Sequence, residues 1–298
     1  MNRAAECFVT LLASAALLFS AACGSTGDDF PPNLYAITFG EGVFVAVGQD
    51  YSIATSIDGE DFYLEAASIE GVMQGVAFDG DDTWVACGDD GVIATSTNTS
   101  TWYFDLLPTD KELRGIDHGA GNFVIVGDDG LVARSPNGGA WDNEETPTNV
   151  NLEDVAFGDN GFVAVGHDGV VITSDDGRGW TSRHSGTIED FFGIGFGDGT
   201  YVAVGRNGLI KFSHNGVEWF DATMPIVINL RDVTYGEGVH VVVGDEGTTL
   251  SSSDGEHFVV RDSGSDRDFD SVTHGDGLFV AVGRGGRILN SENGTHWF

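Results

Sequence analysis

The feature that most constrains this chain is a repeat. A glycine closing a Phe-Val-Ala-Val-Gly-like run recurs at Gly48, Gly88, Gly127, Gly166, Gly205, Gly244 and Gly283, at spacings of 40, 39, 39, 39, 39 and 39 residues. An aromatic keeps step with it at Phe62, Trp102, Trp141, Trp180, Trp219, Phe258 and Trp297. A unit this short cannot bury an apolar face alone, so its copies must pack against one another. Seven copies account for nearly all of residues 34–298 and leave no room for a second domain. The one extra residue falls in copy two, between Phe78 and Trp84, and reads as a turn insertion.

Within each copy, short runs of Val, Ile, Phe and Ala alternate with Gly, Asp and Asn, the residues of tight turns. The fourth copy is representative: Val155-Ala156-Phe157, a Gly-Asp-Asn-Gly turn, Phe162 to Val165, the turn at Gly166 to Gly169, Val170 to Ser174, then a strand from Trp180. Four strands per copy is the count of a propeller blade. The prediction is all-β: a seven-bladed β-propeller with four-stranded antiparallel blades of about 39 residues. Strands such as Val45/Val47 and Phe44/Ala46 are apolar on both faces, as sheets sandwiched between neighbours require. Both terminal copies keep that pattern, which favours closure into a ring over an open stack with polar caps. The last copy reaches only Trp297-Phe298, and Gly24 to Phe30 falls in the register slot that follows. That segment is expected to pair with the last blade, the alternative being an open edge with residues 24–33 as a tether.

Residues 1–22 carry Arg3, an apolar stretch from Phe8 to Phe19 and the small residues Ser20-Ala21-Ala22 before Cys23. This is the plan of an export signal, too short to span a bilayer as a helix. Small residues ahead of a cysteine resemble the lipobox of bacterial lipoproteins, although Ser20 stands where that family usually has Leu. The resemblance implies cleavage before Cys23, acylation of Cys23, and residues 23–33 as a lipidated tether or closing strand. Gly24, rather than Asp, at the following position resembles the outer-membrane sorting class, so the expected location is the outer membrane or cell surface. With Cys7 removed and Cys23 acylated, Cys87 is the only free thiol and no intrachain disulfide forms. Against 13 Lys and Arg stand 47 Asp and Glu, a formal net charge of −34, and such a field excludes nucleic-acid binding.

The turn between the third and fourth strands reads Ser-x-Asp/Asn-Gly-x-x-aromatic, as from Ser56 to Phe62, Ser174 to Trp180, Ser213 to Trp219 and Ser291 to Trp297. It resembles the Asp-box, or bacterial neuraminidase repeat, one residue shorter between Ser and Trp, and is also similar to the repeat of propellers related to photosystem II assembly factors. In copy six the aligned serine is Ser252. Thr97-Asn98-Thr99 is expected to interrupt the turn in copy two, and Pro136 is read as an insertion in copy three. The resemblance implies that these boxes are turn-formers on the face opposite the ligand. It does not imply catalytic residues.

Candidate chemistry therefore has to be sought where the copies differ. His118 and His274 occupy a slot held elsewhere by Phe or Tyr, and His240 another, so these are read as packing residues. Only His167 lies on the candidate ligand face, where the turns between second and third strands gather at the channel mouth. The same face carries Asp50, Tyr51, Asp89, Asp90, Asp128, Asp129, Asp168, Arg206, Asn207, Asp245, Glu246 and Arg284. The second position of each inner strand reads Tyr35, Gln74, Arg114, Glu153, Phe192, Arg231 and Asp270 around the ring. Asp117, Asp154 and Asp232 interrupt an otherwise small-residue lining nearer the axis and are channel candidates, read first as hydrated ion pairs and backbone acceptors. The turn acids match no calcium-loop sequence, so no dedicated metal or cofactor is expected beyond weak Ca2+ binding. Four arginines face the mouth, but none can be assigned to a sialidase-type triad, and phosphate loops and nucleophile elbows are absent. The expectation is a non-catalytic scaffold for a protein or glycan partner, touching the membrane through its lipid only. The alternatives are an Asp-box-type carbohydrate hydrolase and an assembly factor for an envelope complex.

Overall fold

The computed structural model describes residues 17–19, 33–66, 71–223 and 226–298. Seven antiparallel sheets follow in chain order, with inner strands Leu34–Gly40, Met73–Phe78, Leu113–Gly119, Leu152–Gly158, Phe191–Gly197, Leu230–Gly236 and Phe269–Gly275. Among the described residues, blades one to six each have four strands in sequence order, inner to outer, and blade seven has three. The seven-bladed propeller is thus the fold. A short strand at Leu17–Phe19 also pairs with Trp102–Phe104 on the outer edge of blade two. It lies in the stretch read as signal. The expected closing segment, Gly24 to Phe30, and Cys23 lie outside the described residues.

Each hydrophobic core sits between two blades, so no blade is complete alone. Val45, Val47 and Ile53 of blade one pack with Met73, Val76 and Trp84 of blade two. The same arrangement recurs round the ring and closes where Leu34, Ile37 and Phe44 meet Val280 and Val282 of blade seven. Except at blade two, whose strand is followed by Asp79, the aromatic at the sixth inner-strand position presses on the last glycine of the preceding blade's strand. A Cβ on Gly119 would come 2.0 Å from the Phe157 ring, and one on Gly275 would come 2.0 Å from Phe39 across the closure. His118 and His274 fill this aromatic slot, with centroids 4.7 and 4.6 Å from Phe123 and Phe279, matching the 4.6 Å of Phe39 and Phe44.

The outer turns of copies two and three follow the common plan, which corrects the reading of those copies. In copy five, Asn215 and Gly216 donate their N–H groups to Ser213 Oγ, Val217 and Glu218 donate to Asn215 Oδ1, and the Trp219 indole donates to the Gly216 carbonyl. Copy two keeps the bonds to Asn98 and the indole bond from Trp102 to Thr99. Thr99 simply adopts the glycine's left-handed conformation, φ 59°. Pro136 fills the variable slot and inserts nothing, because Asn137 still accepts from Gly139 and Ala140.

Candidate functional site at the channel mouth

Every inner strand has a register shift between its first and third residues. The second residue is therefore bulged out of the ladder, and a bulge re-aims its side chain. Those bulged residues are Tyr35, Gln74, Arg114, Glu153, Phe192, Arg231 and Asp270. All seven line one axial cavity of about 340 Å³. The structure thus gathers residues from seven separate copies into one ring.

Charge at the mouth is largely satisfied internally. Arg114 Nε donates to Asp128 Oδ1 at 2.8 Å, while its terminal nitrogens reach Glu112 at 2.6 Å and Glu153 at 3.4 Å. His167 Nε2 lies 2.8 Å from the other Glu153 oxygen. Arg231 grips both oxygens of Asp245, at 2.7 and 3.2 Å, and lies over the Phe192 ring, 5.2 Å from its centroid. Arg206 pairs with Asp190 and Arg284 with Asp268. Each of these four arginines is paired with a different carboxylate, Asp128, Asp190, Asp245 or Asp268. Gln74 donates to Asp89, and Asn33 donates to the Tyr35 hydroxyl. Asp270 differs: its Oδ2 is buried with no hydrogen-bond partner. Burial pushes its carboxyl up to about 6, although Arg231 and Arg284 pull the other way.

Below the mouth, Asp117, Asp154 and Asp232 fasten one blade to the next. Asp117 accepts from its neighbour His118 and, through the other oxygen, from the Phe157 N–H of blade four, both at 2.7 Å. Asp154 accepts from Val155 and from Ile194 of blade five at 2.8 and 2.9 Å. Asp232 accepts from Val233 and, in blade seven, from the Val272 N–H at 2.9 Å and the Ser271 hydroxyl at 2.7 Å. Ser271 in turn accepts from Ile37 of blade one. Enclosure in the channel raises all three carboxyls, Asp117 to about 6, and the charge of Asp232 raises Asp154 further. These carboxylates hold the backbone of the next blade, and all three also line the axial cavity.

Two features were missed in the sequence. In blade one the counterpart of Asp89 is Gln49, one residue before the pair singled out. It accepts from Asn33 at 2.9 Å, and Tyr51 takes the glycine slot at φ 50°. The second feature is a clasp. The Asn or Asp preceding an inner strand gives its carbonyl to its own blade's turn and its side-chain oxygen to the turn of the blade before. Asn151, Asp190, Asn229 and Asp268 accept in this way from Asp129, Asp168, Asn207 and Glu246. Asn33 accepts from Gly285 at 3.0 Å and closes the ring with the same device. The recurrence of Asn or Asp at 39-residue spacing from Asn151 to Asp268, and again at Asn33, was the available signal, although copies two and three carry Val72 and Glu112 in that slot. Among the described residues no group of three or more His, Cys, Asp and Glu is placed to hold a metal ion. Cys87 is buried, and burial pushes its thiol far up.

No protein-family model and no curated protein matches the sequence. Solved propellers do. YCF48 bound to D1 peptide matches at a TM-score of 0.69 and 18% identity, covering 88% of this chain and 97% of that one. YCF48 from Cyanidioschyzon merolae gives 0.65 and 17%, covering 87% and 95%. The WD40 propeller domain of Doa1 gives 0.70 and 14%, covering 90% and 95%. At these identities the likeness is one of fold.

Proposed function

We propose that the protein is a non-catalytic propeller scaffold that receives a protein segment at its channel mouth, outside the cytoplasm, held to the outer membrane or cell surface by an acyl chain on Cys23. The observation that carries this reading is the bulged ring. Seven side chains of six kinds are presented by a rigid scaffold on one face, while the carboxylates beneath accept from main-chain N–H groups and the Ser271 hydroxyl. A rigid polar ring with two aromatics, Tyr35 and Phe192, suits recognition without reorganisation. Like-fold YCF48 has been solved with a D1 peptide bound, which favours a protein partner over a glycan. The assembly-factor reading is a special case, in which the partner is a subunit of an envelope complex.

The test is affinity capture from envelope extract with wild-type protein and with Phe192→Ala/Tyr35→Ala, followed by titration of the captured partner's segment. Binding lost in the double variant, with unchanged thermal unfolding, is the expected result. Turnover of any glycan, abolished by Asp154→Asn in a folded protein, would replace the scaffold reading with the hydrolase one.

A further inference from the structure

The ring at the mouth holds one group whose chemistry is unspent. Gln74 and Arg114 bond turn carboxylates, Glu153 is held by Arg114 and His167, Arg231 lies on Phe192 and grips Asp245, and the Tyr35 hydroxyl accepts from Asn33. Asp270 bonds nothing among the described residues. Of its two oxygens only Oδ2 is enclosed, so Oδ1 is the one a ligand can reach. The neighbouring cations are already committed, Arg231 to Asp245 and Arg284 to Asp268. A carboxylate that is largely enclosed and unbonded is costly, and a donor brought in by a ligand recovers that cost.

The surroundings select the sign and shape of that ligand. Two arginines and five carboxylates are the charged groups on the cavity wall, so the field inside favours a cation. In blade order, Phe192 and Tyr35 stand on either side of the Arg231 and Asp270 pair, both half-buried, and offer an apolar wall to the stem of a long side chain. A guanidinium pairs best with both oxygens of a carboxylate, as Arg231 does with Asp245. At Asp270 one oxygen is closed off, which suits the compact charge of an ammonium instead.

We propose that Asp270 sets the specificity of the mouth by taking the ammonium of a lysine in the docked segment, whose methylene stem packs on Tyr35 and Phe192. The inference rests on the reading of the mouth as a protein-docking site and names what that site selects.

The test starts from a random-peptide library selected on the immobilised protein. Enriched sequences are made as acetylated, amidated peptides, so that no terminal amine competes with a side chain. Dissociation constants are measured for each peptide, and for its forms with the lysine exchanged for arginine or norleucine, on wild type and on Asp270→Asn. The expected result is a lysine common to the enriched sequences. Its exchange for norleucine should weaken binding about tenfold or more on wild type and less than about twofold on Asp270→Asn, with arginine weaker than lysine on wild type. Should thermal unfolding show that Asp270→Asn folds poorly, Asp270→Ser takes its place. Peptides that need Tyr35 and Phe192 but carry no common lysine, whose lysine matters equally in the Asp270 variant, or in which arginine serves as well, overturn the assignment and leave the docking reading standing. If no enriched peptide loses binding in Phe192→Ala/Tyr35→Ala, the docking reading falls and the lysine site falls with it.

Discussion

Asp117 offers a quantitative test of the channel. Its two acceptor bonds tie blade three to blade four, yet enclosure lifts its carboxyl from 3.8 to about 6. A folded pKa above the unfolded one means the folded state binds the proton more tightly. The resulting stabilisation is complete below about pH 3.8 and is lost as pH rises through about 6. The full elevation corresponds to about 3 kcal/mol, and linkage places about 1.4 kcal/mol of it between pH 5 and pH 7.5. Asn cannot titrate, so Asp117→Asn should gain about 1.4 kcal/mol on the wild type across that interval. Urea unfolding followed by tryptophan fluorescence at pH 5, 6 and 7.5 reads the difference. It cancels every other titrating group, and pH 5 stays clear of the isoelectric point near 4.1. A wild-type-minus-variant difference constant to within about 0.4 kcal/mol, the usual limit of additivity, would refute the argument. A change of opposite sign would show that the two N–H bonds favour the carboxylate more than enclosure disfavours it.

Three further outcomes follow from the same framework. Asn33→Ala removes the clasp across the closure and should cost about 1 kcal/mol in urea unfolding, with Asn229→Ala at an interior interface costing a similar amount. Thr99→Gly relieves a β-branched residue held at φ 59° and should raise the melting temperature by about 2–4 °C in calorimetry. His240 is 1% exposed with neither ring nitrogen bonded, and burial lowers its pKa below 6.5. The stability penalty therefore grows as pH falls below 6.5, and His240→Phe should stabilise the fold more at pH 5.5 than at pH 8, measured by the same unfolding series.

The ring was legible in the sequence because its rules are local and repeated: a glycine where an aromatic ring presses, a Ser-x-Asp/Asn turn, and a two-sided apolar strand. Thr99 and Pro136 misled because they were read as an interruption and an insertion, whereas the turn needs only a Ser, an acceptor two residues on and a backbone able to turn left-handed. The mouth was legible as a set of positions and not as a network. Arg114 meets Glu153, 39 residues away, and Asp117 reaches the Phe157 N–H, 40 away. Such pairs appear only once the period is read as a statement of spatial adjacency between copies, and not merely of similarity.

That adjacency also explains why carboxylates line the channel. Seven inner strands converge without pairing edge to edge, so their N–H groups near the axis need acceptors from the neighbouring blade. Asp154, Asp232 and Ser271 meet that need from one slot, where other blades carry only Ala36, Gly75, Gly115 and Gly193. A Cβ on Gly193 would come 2.4 Å from the Arg231 carbonyl, so close approach of backbones excludes a side chain there. The slot therefore holds small residues where backbones approach closely, as at Gly193, and an acidic or hydroxyl acceptor where a gap has to be spanned. The channel acids belong to the joinery of the ring, and specialisation is left to the bulged residues one position earlier.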